Sequence, residues 1–292
     1  MLVSYLFVGG MAGGAYVISA LADLLGKGKY RVLSKSGAYL SVLSILAGLV
    51  LLVVDLGRFN VDLLSPLNAY IHFPTSIMSF GTWTITVFMM VALLTSILWI
   101  FNGSTIVRKT LEVVGLVLGG TTAAYTGLLL AFSRGVHFWN TPFLPWLFIV
   151  SGSLTGLAMA LILIPIVAKL VPSFSMDFKE LFDDTRKFTD LLSTSMRYVV
   201  ILIALELGLA VVELLVGGIY IDILEAGMIF TFAAYLIIGL VIPLGIAYYI
   251  GQQKMINEMS MSTMLSMGSF VLILVGGFLL RYVVLITGQL IA

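Results

Sequence analysis

Ser79-Phe-Gly-Thr-Trp-Thr-Ile-Thr-Val-Phe-Met-Met-Val-Ala-Leu-Leu-Thr-Ser-Ile-Leu-Trp-Ile-Phe101 contains no Asp, Glu, Lys or Arg. A hydrocarbon layer about 30 Å thick is crossed by roughly 20 apolar residues in a helix, so this stretch suffices for one span. Its apolar residues are continuous rather than alternating, which disfavours a membrane barrel strand. Working outward, seven more stretches meet the same test: about 2–25, 38–55, 111–132, 142–169, 190–216, 226–250 and 263–291. Composition agrees, at 61% hydrophobic and 10% charged with a mean hydropathy of +1.16. Ordinary soluble domains are about 25% charged. An all-α integral membrane protein of eight transmembrane helices follows, with Pro165 and Pro243 expected to kink the helices that hold them.

Charge sets the expected orientation. Loops after the first, third, fifth and seventh spans carry Lys27, Lys29, Arg31, Lys35, Arg108, Lys109, Lys169, Lys179, Arg186, Lys187 and Lys254. The opposite face has only Arg58 and Arg134, while Arg197 and Arg281 lie within spans. Positive residues are retained inside, so both termini are expected outside, in a multi-pass protein of a cytoplasmic membrane. The first apolar run starts at about Leu2 with lysines after it, the reverse of a cleaved signal peptide, so it reads as a retained helix. A net charge of +1 gives no global field that would favour nucleic acid.

The long inner connection, about Val171 to Thr189, places Phe178, Leu181, Phe182, Thr185 and Phe188 at helical spacing among acids and bases. That pattern predicts an interfacial amphipathic helix. It divides the protein into a larger bundle of about five helices over 1–170, a linker over 171–189 and a smaller bundle of three over 190–292. The larger bundle is expected to hold the functional site.

Four polar clusters border the apolar runs, and topology assigns all of them to the outer face. They are Asp55-Leu-Gly-Arg58, Phe73-Pro-Thr-Ser76, Ala124-Tyr-Thr-Gly127 and His137-Phe-Trp-Asn-Thr-Pro142. Polar groups beside lipid are costly unless they line a pocket or a protein contact. Tyr125 lies about seven residues inside its helix among Ala123, Ala124 and Gly127, which favours a ring facing a cavity over a belt tyrosine. Asp55 and Arg58 share a helical face, where capping is the commoner role. Arg134 and His137 suit interfacial anchors, and Trp139 a belt residue. Gly9, Gly10, Gly13 and Gly14 form interleaved Gly-x-x-x-Gly pairs, read first as close helix packing, with Tyr5 one turn above.

Glu206 and Glu213 are seven apart on one face of the sixth span, and Arg281 sits at comparable depth in the eighth. A structural Glu–Arg pair and a proton-transfer role are equally weighted for them. Asp23 and Glu112 read as interfacial. The only histidines are His72 and His137, neither placed to ligate a transmembrane haem, and there is no cysteine to hold an iron–sulfur cluster or form a disulfide. No haem, no metal and no iron–sulfur cluster are expected in this protein.

Several of these stretches carry a family resemblance. Leu6-Phe-Val-Gly-Gly-Met-Ala-Gly-Gly-Ala-Tyr16, Asp55-Leu-Gly-Arg58 and Pro74-Thr-Ser-Ile-Met-Ser-Phe-Gly-Thr-Trp83 occur in that order. Tyr125-Thr-Gly-Leu-Leu-Leu130, Phe138-Trp-Asn-Thr-Pro142 and Gly276-Gly-Phe-Leu-Leu-Arg281 follow. Together they resemble the NrfD-type membrane subunits of polysulfide reductase and related respiratory enzymes. The resemblance implies a haem-free, quinone-reactive subunit in the prokaryotic cytoplasmic (inner) membrane. It also implies a docked ferredoxin-like iron–sulfur subunit with four clusters, and a molybdopterin-type catalytic subunit beyond it. By motif, Tyr125 takes the position of the tyrosine that contacts the quinone head. Tyr5 stands where some members carry histidine, a departure that leaves the proton partner open.

The function expected is exchange of electrons between membrane quinone, menaquinone or ubiquinone, and an iron–sulfur partner at the outer face. The protein would then be the quinone oxidoreductase membrane subunit of a larger complex, not its terminal-substrate subunit. Candidate quinone-site residues are Tyr5, Tyr125, His72, Asp55, Arg58, Arg134, His137, Trp139 and Asn140. Asp55, Glu206, Glu213 and Arg281 are candidates for proton transfer. The alternatives are a secondary transporter built on the buried glutamates, or a membrane anchor with no site of its own.

Overall fold

The computed structural model describes residues 2–26, 28–55, 68–71, 76–133, 135–170, 176–216, 219–252 and 259–291. Its helices are α1 (Leu2–Gly26), α2 (Arg31–Asp55), the short α3 (Asn68–Ile71), α4 (Ile77–Ile100) and α5 (Thr105–Ala131). After them come α6 (Leu144–Leu170), α7 (Met176–Asp183), α8 (Thr185–Val216) and α9 (Ile219–Glu225). The last three are α10 (Ile229–Ala234), α11 (Ile242–Gln252) and α12 (Met259–Ile291). A π-helical segment, Tyr235–Val241, joins α10 to α11 as one span, giving eight candidate membrane crossings among the described residues. A helix satisfies its own backbone groups, which lipid cannot do, and that is why uninterrupted apolar runs settle as helices here.

Local sequence ends the helices where they end. After α4 the backbone turns through Asn102, at φ 48°, and the Gly103 amide donates to the Leu98 carbonyl at 2.9 Å. This is a left-handed helix stop with Asn in the position usually held by Gly. Asn102 also accepts from the Arg31 guanidinium at 2.8 Å, tying the α4–α5 turn to the start of α2. In the seventh span, Pro243 can neither donate to Gly239 nor fit its ring against that carbonyl. The helix widens just before it: the Ile242 amide donates five residues back, to Ile237.

α6 is the hub. It packs on α1, α2 and α5 on one side and on α8 and α12 on the other. Its most apolar window is 72% buried, against 28% for α8. A small core joins α1, α2, α4 and α5 through Ala12, Tyr16, Ile45, Phe88 and Tyr125. A larger one runs from α1 and α2 through α6 into α8, α11 and α12. Bare backbones set the closest approaches. A Cβ on Gly13 would lie 2.3 Å from the Gly119 carbonyl oxygen of α5, and one on Gly14 2.0 Å from that of Gly152 on α6. Gly239 and Gly276 meet in the same way between the π segment and α12.

The amphipathic stretch after α6 forms two elements rather than one. α7 ends at Asp183, and the residues from Thr185 are already the first turn of α8. Asp184 divides them because its carboxylate accepts the Lys187 amide at 3.2 Å, as a helix N-cap does. The Lys187 ammonium beside it holds the Asp184 carboxyl below its ordinary value. Phe178 of α7 is buried and stacked on Tyr39, while Asp177 pairs with Lys35 and Arg31 of α2. At 32 residues α8 is longer than the hydrocarbon requires, so its charged first turns extend beyond it.

Candidate functional site

At the lysine-poor end, α1 and α5 each bring one tyrosine inward, Tyr5 into the larger core and Tyr125 into the small one. Tyr5 is 5% exposed and Tyr125 3%. The phenol end of the Tyr125 ring lies against Gly81 of α4, and its hydroxyl donates to the Met78 carbonyl at 3.4 Å. Gly81 is what admits it, because a Cβ there would come within 1.7 Å of the ring. Beside it, Tyr5 borders a crevice of about 10 Å³ with Gly9, Gly48, Ile85, Thr122 and Thr126. Among the described residues the Tyr5 hydroxyl meets no hydrogen-bond partner, whereas Thr122 and Thr126 donate back to Leu118 and Ala123 within α5. The crevice wall is therefore mostly apolar, with the Tyr5 phenol at its edge, while the Tyr125 hydroxyl is turned to α4. Above it, α3 leans on α4: Tyr70 meets Trp83 edge-on at 5.4 Å and shares a 2.8 Å hydrogen bond with Thr86.

The other expected site residues are distributed differently. Asp55 is the last residue of α2, and its side chain, with all of Arg58, His72 and Arg134, lies outside the described residues. His137 opens a single 3-10 turn, His137–Trp139, and its side chain is likewise outside them. Trp139 turns toward α12. It is buried, donates to the Val284 carbonyl at 2.8 Å and lies against Gly288, where a Cβ would come within 2.2 Å of its ring. Asn140 is exposed, and Thr141 donates to Glu213 of α8 at 2.6 Å. The loop over 137–142 therefore joins the later helices, while Tyr5 and Tyr125 lie among the earlier ones.

Between the two groups lies a fully buried guanidinium. Arg281 of α12 donates to Ser151 of α6 and to the Gly277 carbonyl, each at 2.8 Å, and its face lies 5.1 Å from the Phe148 ring centre. Gly10 leaves it room, since a Cβ there would be 3.0 Å from Nη2. Glu206 accepts instead from Tyr235 of the π segment at 3.2 Å. Among the described residues, one oxygen of Glu206, one of Glu213, and Nε and Nη2 of Arg281 have no hydrogen-bond partner. Glu206 and Arg281 form no direct ion pair within 4.0 Å, yet both lie beside Ser151 of α6, so the charges of α8 and α12 converge there.

The lysine-rich end contains charges that sequence assigned to the membrane interface. Asp23 is 4% exposed and Glu112 is fully buried. Arg108 donates to Asp23 at 2.9 Å, lies 3.4 Å from Glu112 and stacks 3.7 Å above the Trp99 ring. Two turns deeper in α1, the Tyr16 hydroxyl meets Thr95 at 2.7 Å and donates to the Leu111 carbonyl at 3.3 Å. The Arg108–Glu112 spacing of one helical turn was the available signal, since it aims both charges at one neighbour. Among the described residues no group of three or more His, Asp or Glu is arranged to hold a metal ion.

Comparison with known proteins follows the same outline. One relative is the C subunit of polysulfide reductase from Wolinella succinogenes, 31% identical over 180 residues, which are 53% of this protein and 54% of that one. Another is the Hdr-like menaquinol oxidoreductase integral membrane subunit of Archaeoglobus fulgidus, 26% identical over 155 residues, or 52% and 38% of the two proteins. Protein NrfD of Escherichia coli is 47% identical over 58 residues, 20% of this protein and 18% of its own length. The matches thus span about half the length of these relatives, or less. Along residues 1–292 the sequence matches the family described as "Polysulphide reductase, NrfD", and the protein belongs to that family.

Proposed function

We propose that this protein is the quinone-reactive membrane subunit of a respiratory oxidoreductase complex. It would pass electrons between membrane quinone and an iron–sulfur subunit docked on the lysine-poor face. The observation that carries this is the pair of buried tyrosines at that end of α1 and α5, Tyr5 bordering a crevice with Gly9 and Gly48 and Tyr125 seated against Gly81. The names of the Wolinella and Archaeoglobus relatives, a polysulfide reductase subunit and a menaquinol oxidoreductase subunit, support the same chemistry. The positive-inside rule puts the site toward the outside of a prokaryotic cytoplasmic membrane.

Quinone chemistry moves two electrons and two protons, so the site has to hold a carbonyl and supply or accept protons. Tyr125 would donate a hydrogen bond to one carbonyl, exchanging its weak 3.4 Å contact with Met78 for a better one. The Tyr5 hydroxyl would serve the other side. Asp55, His72, Arg134 and His137 remain the candidates for delivering protons from the outer face, with Arg58, Trp139 and Asn140 at the rim. At about 10 Å³ the crevice takes roughly one water, so a head group enters only when a tyrosine side chain swings aside. Glu213 and Glu206, each with one uncommitted carboxyl oxygen among the described residues, form a second file of proton-carrying groups through α8 beside Arg281. A docked ferredoxin-like subunit with four [4Fe–4S] clusters, and a molybdopterin-type catalytic subunit beyond it, would complete the electron path.

Tyr125→Phe tests the proposal, because it keeps the ring against Gly81 and removes one hydroxyl. A neutral hydrogen bond contributes about 0.5–1.5 kcal/mol net, and more where charge develops on the acceptor. Quinone-dependent turnover of the complex should fall several-fold to a hundredfold, with activity toward a soluble artificial donor intact. Equal loss of both activities would make Tyr125 structural and remove the support for the pocket.

A further inference from the structure

At the lysine-rich end two clefts adjoin. One, of about 270 Å³, lies between α1 and α8, with Ala22, Leu25, Leu157, Tyr198 and Leu202 on its walls. The other, of about 170 Å³, is lined by Lys29, Lys187 and Asp190 among leucines. Tyr30 and Leu33 border both, so the two clefts share a rim at those side chains and together form the trough.

Its walls are graded. The α8 residues in the trough are Lys187, Asp190 and Leu191, then Thr194 and Ser195, then Tyr198, Ile201 and Leu202, each group about one turn beyond the last. The order is charge, then hydroxyl, then hydrocarbon. At 1.5 Å per residue, Lys187 to Leu202 covers roughly 22 Å, about half the thickness of a bilayer with its headgroups. α1 supplies the matching apolar wall at one-turn spacing through Ile18, Ala22 and Leu25. Lys29 pairs with Asp190 at 3.6 Å, but both side chains are more than 60% exposed, so that pair is weak and open to exchange. Lys187 pairs with Asp184 outside the trough, and a Lys ammonium has three donors to share.

We infer that this trough is a binding site for one anionic phospholipid of the leaflet on the lysine-rich face, its phosphate held by Lys29 and Lys187 and an acyl tail laid between α1 and α8. The charge lining the trough, two lysines against one aspartate, favours an anionic headgroup over a zwitterionic one. The continuation into hydrocarbon favours a lipid over a free phosphate. A quinone would fill the apolar part without using the lysines. The inference is independent of the Tyr5–Tyr125 site, which lies at the opposite end of α1.

The test is native mass spectrometry of the full-length protein, delipidated and then supplied with dioleoyl phosphatidylglycerol, dioleoyl phosphatidylcholine, a menaquinone or inorganic phosphate. One phosphatidylglycerol should be retained roughly five- to tenfold better than phosphatidylcholine, since each lysine near a membrane surface adds to anionic-lipid attraction. Lys29→Gln with Lys187→Gln should bring the two lipids to parity, and Ala22→Trp should exclude both. The lysine variant changes only surface groups and so keeps the test decisive if Ala22→Trp lowers the melting temperature. A preference that survives the lysine substitutions would overturn the site, as would equal binding of the two lipids by the unaltered protein. Displacement of phosphatidylglycerol by inorganic phosphate would assign the lysines to a free anion, and displacement by menaquinone would assign the trough to a quinone tail.

Discussion

Gly81→Ala should disable the proposed quinone site without touching any group that bonds to a substrate. Built on this backbone, the added methyl carbon would lie 1.7 Å from Cζ, 2.1 Å from Cε2 and 2.2 Å from the hydroxyl oxygen of Tyr125. Ordinary contact begins at 3.4 Å, so the ring must retreat by roughly 1.7 Å. It has little room, because Tyr125 packs in the small core with Ile85 and Phe88. Overpacking of this kind costs about 1–3 kcal/mol, and a 1 Å displacement of a positioning group can cost about 10²-fold in rate. Membrane levels of the variant should therefore fall modestly. Quinone-dependent turnover should drop about a hundredfold or more, with artificial-donor activity of the assembled complex preserved. Tyr125→Ala removes the clash, so the stability losses of Gly81→Ala and Tyr125→Ala should combine to less than their sum, by about 1 kcal/mol or more. Near-normal quinone turnover in Gly81→Ala, or additive stability losses, would refute the claim that Gly81 positions Tyr125.

Arg108→Met leaves Asp23 and Glu112 buried without their cation and should destabilise the subunit by about 3–5 kcal/mol in a denaturation assay. Adding Asp23→Asn and Glu112→Gln should recover much of that loss. Glu206→Gln should leave quinone binding unchanged, with turnover slowed only if protons move through α8, which a quinone titration alongside steady-state rates separates. Asp55→Asn should lower quinone-dependent turnover with artificial-donor activity intact if the carboxylate handles protons, and lower assembly if it only caps α2. Single cysteines at Asn140 or Asp222 should react with an impermeant reagent from outside, and ones at Lys29 or Lys109 only from inside; the reverse pattern would invert the proposed orientation. The isolated subunit should show no Soret band and no stoichiometric iron, and a b-type haem spectrum would contradict the ligand count.

The eight spans were legible in the sequence because lipid imposes a one-dimensional constraint. A run such as Ser79–Phe101 has no structure open to it in hydrocarbon except a helix, whatever its neighbours are. The family motifs were legible for a related reason, since runs such as Gly9–Gly14 mark where backbones must touch. Which backbones touch was decided only in three dimensions: Gly13 meets α5, Gly14 meets α6, and Gly10 yields space to Arg281 from the far end of the sequence. The sequence reads Asp23 and Glu112 as interfacial from their place near helix ends, yet packing aims both at Arg108 in the interior. In the same way Glu206 and Arg281, matched in depth along their helices, do not pair directly: Glu206 accepts from Tyr235 while Arg281 donates to Ser151 between them. Trp139, read as a belt residue, is fixed by a carbonyl of α12 and the bare surface of Gly288. Hydropathy along a sequence fixes which segments cross a membrane and how deep each residue lies. The rotation of each helix about its axis depends on side chains from several others at once, and that rotation decides which polar groups meet.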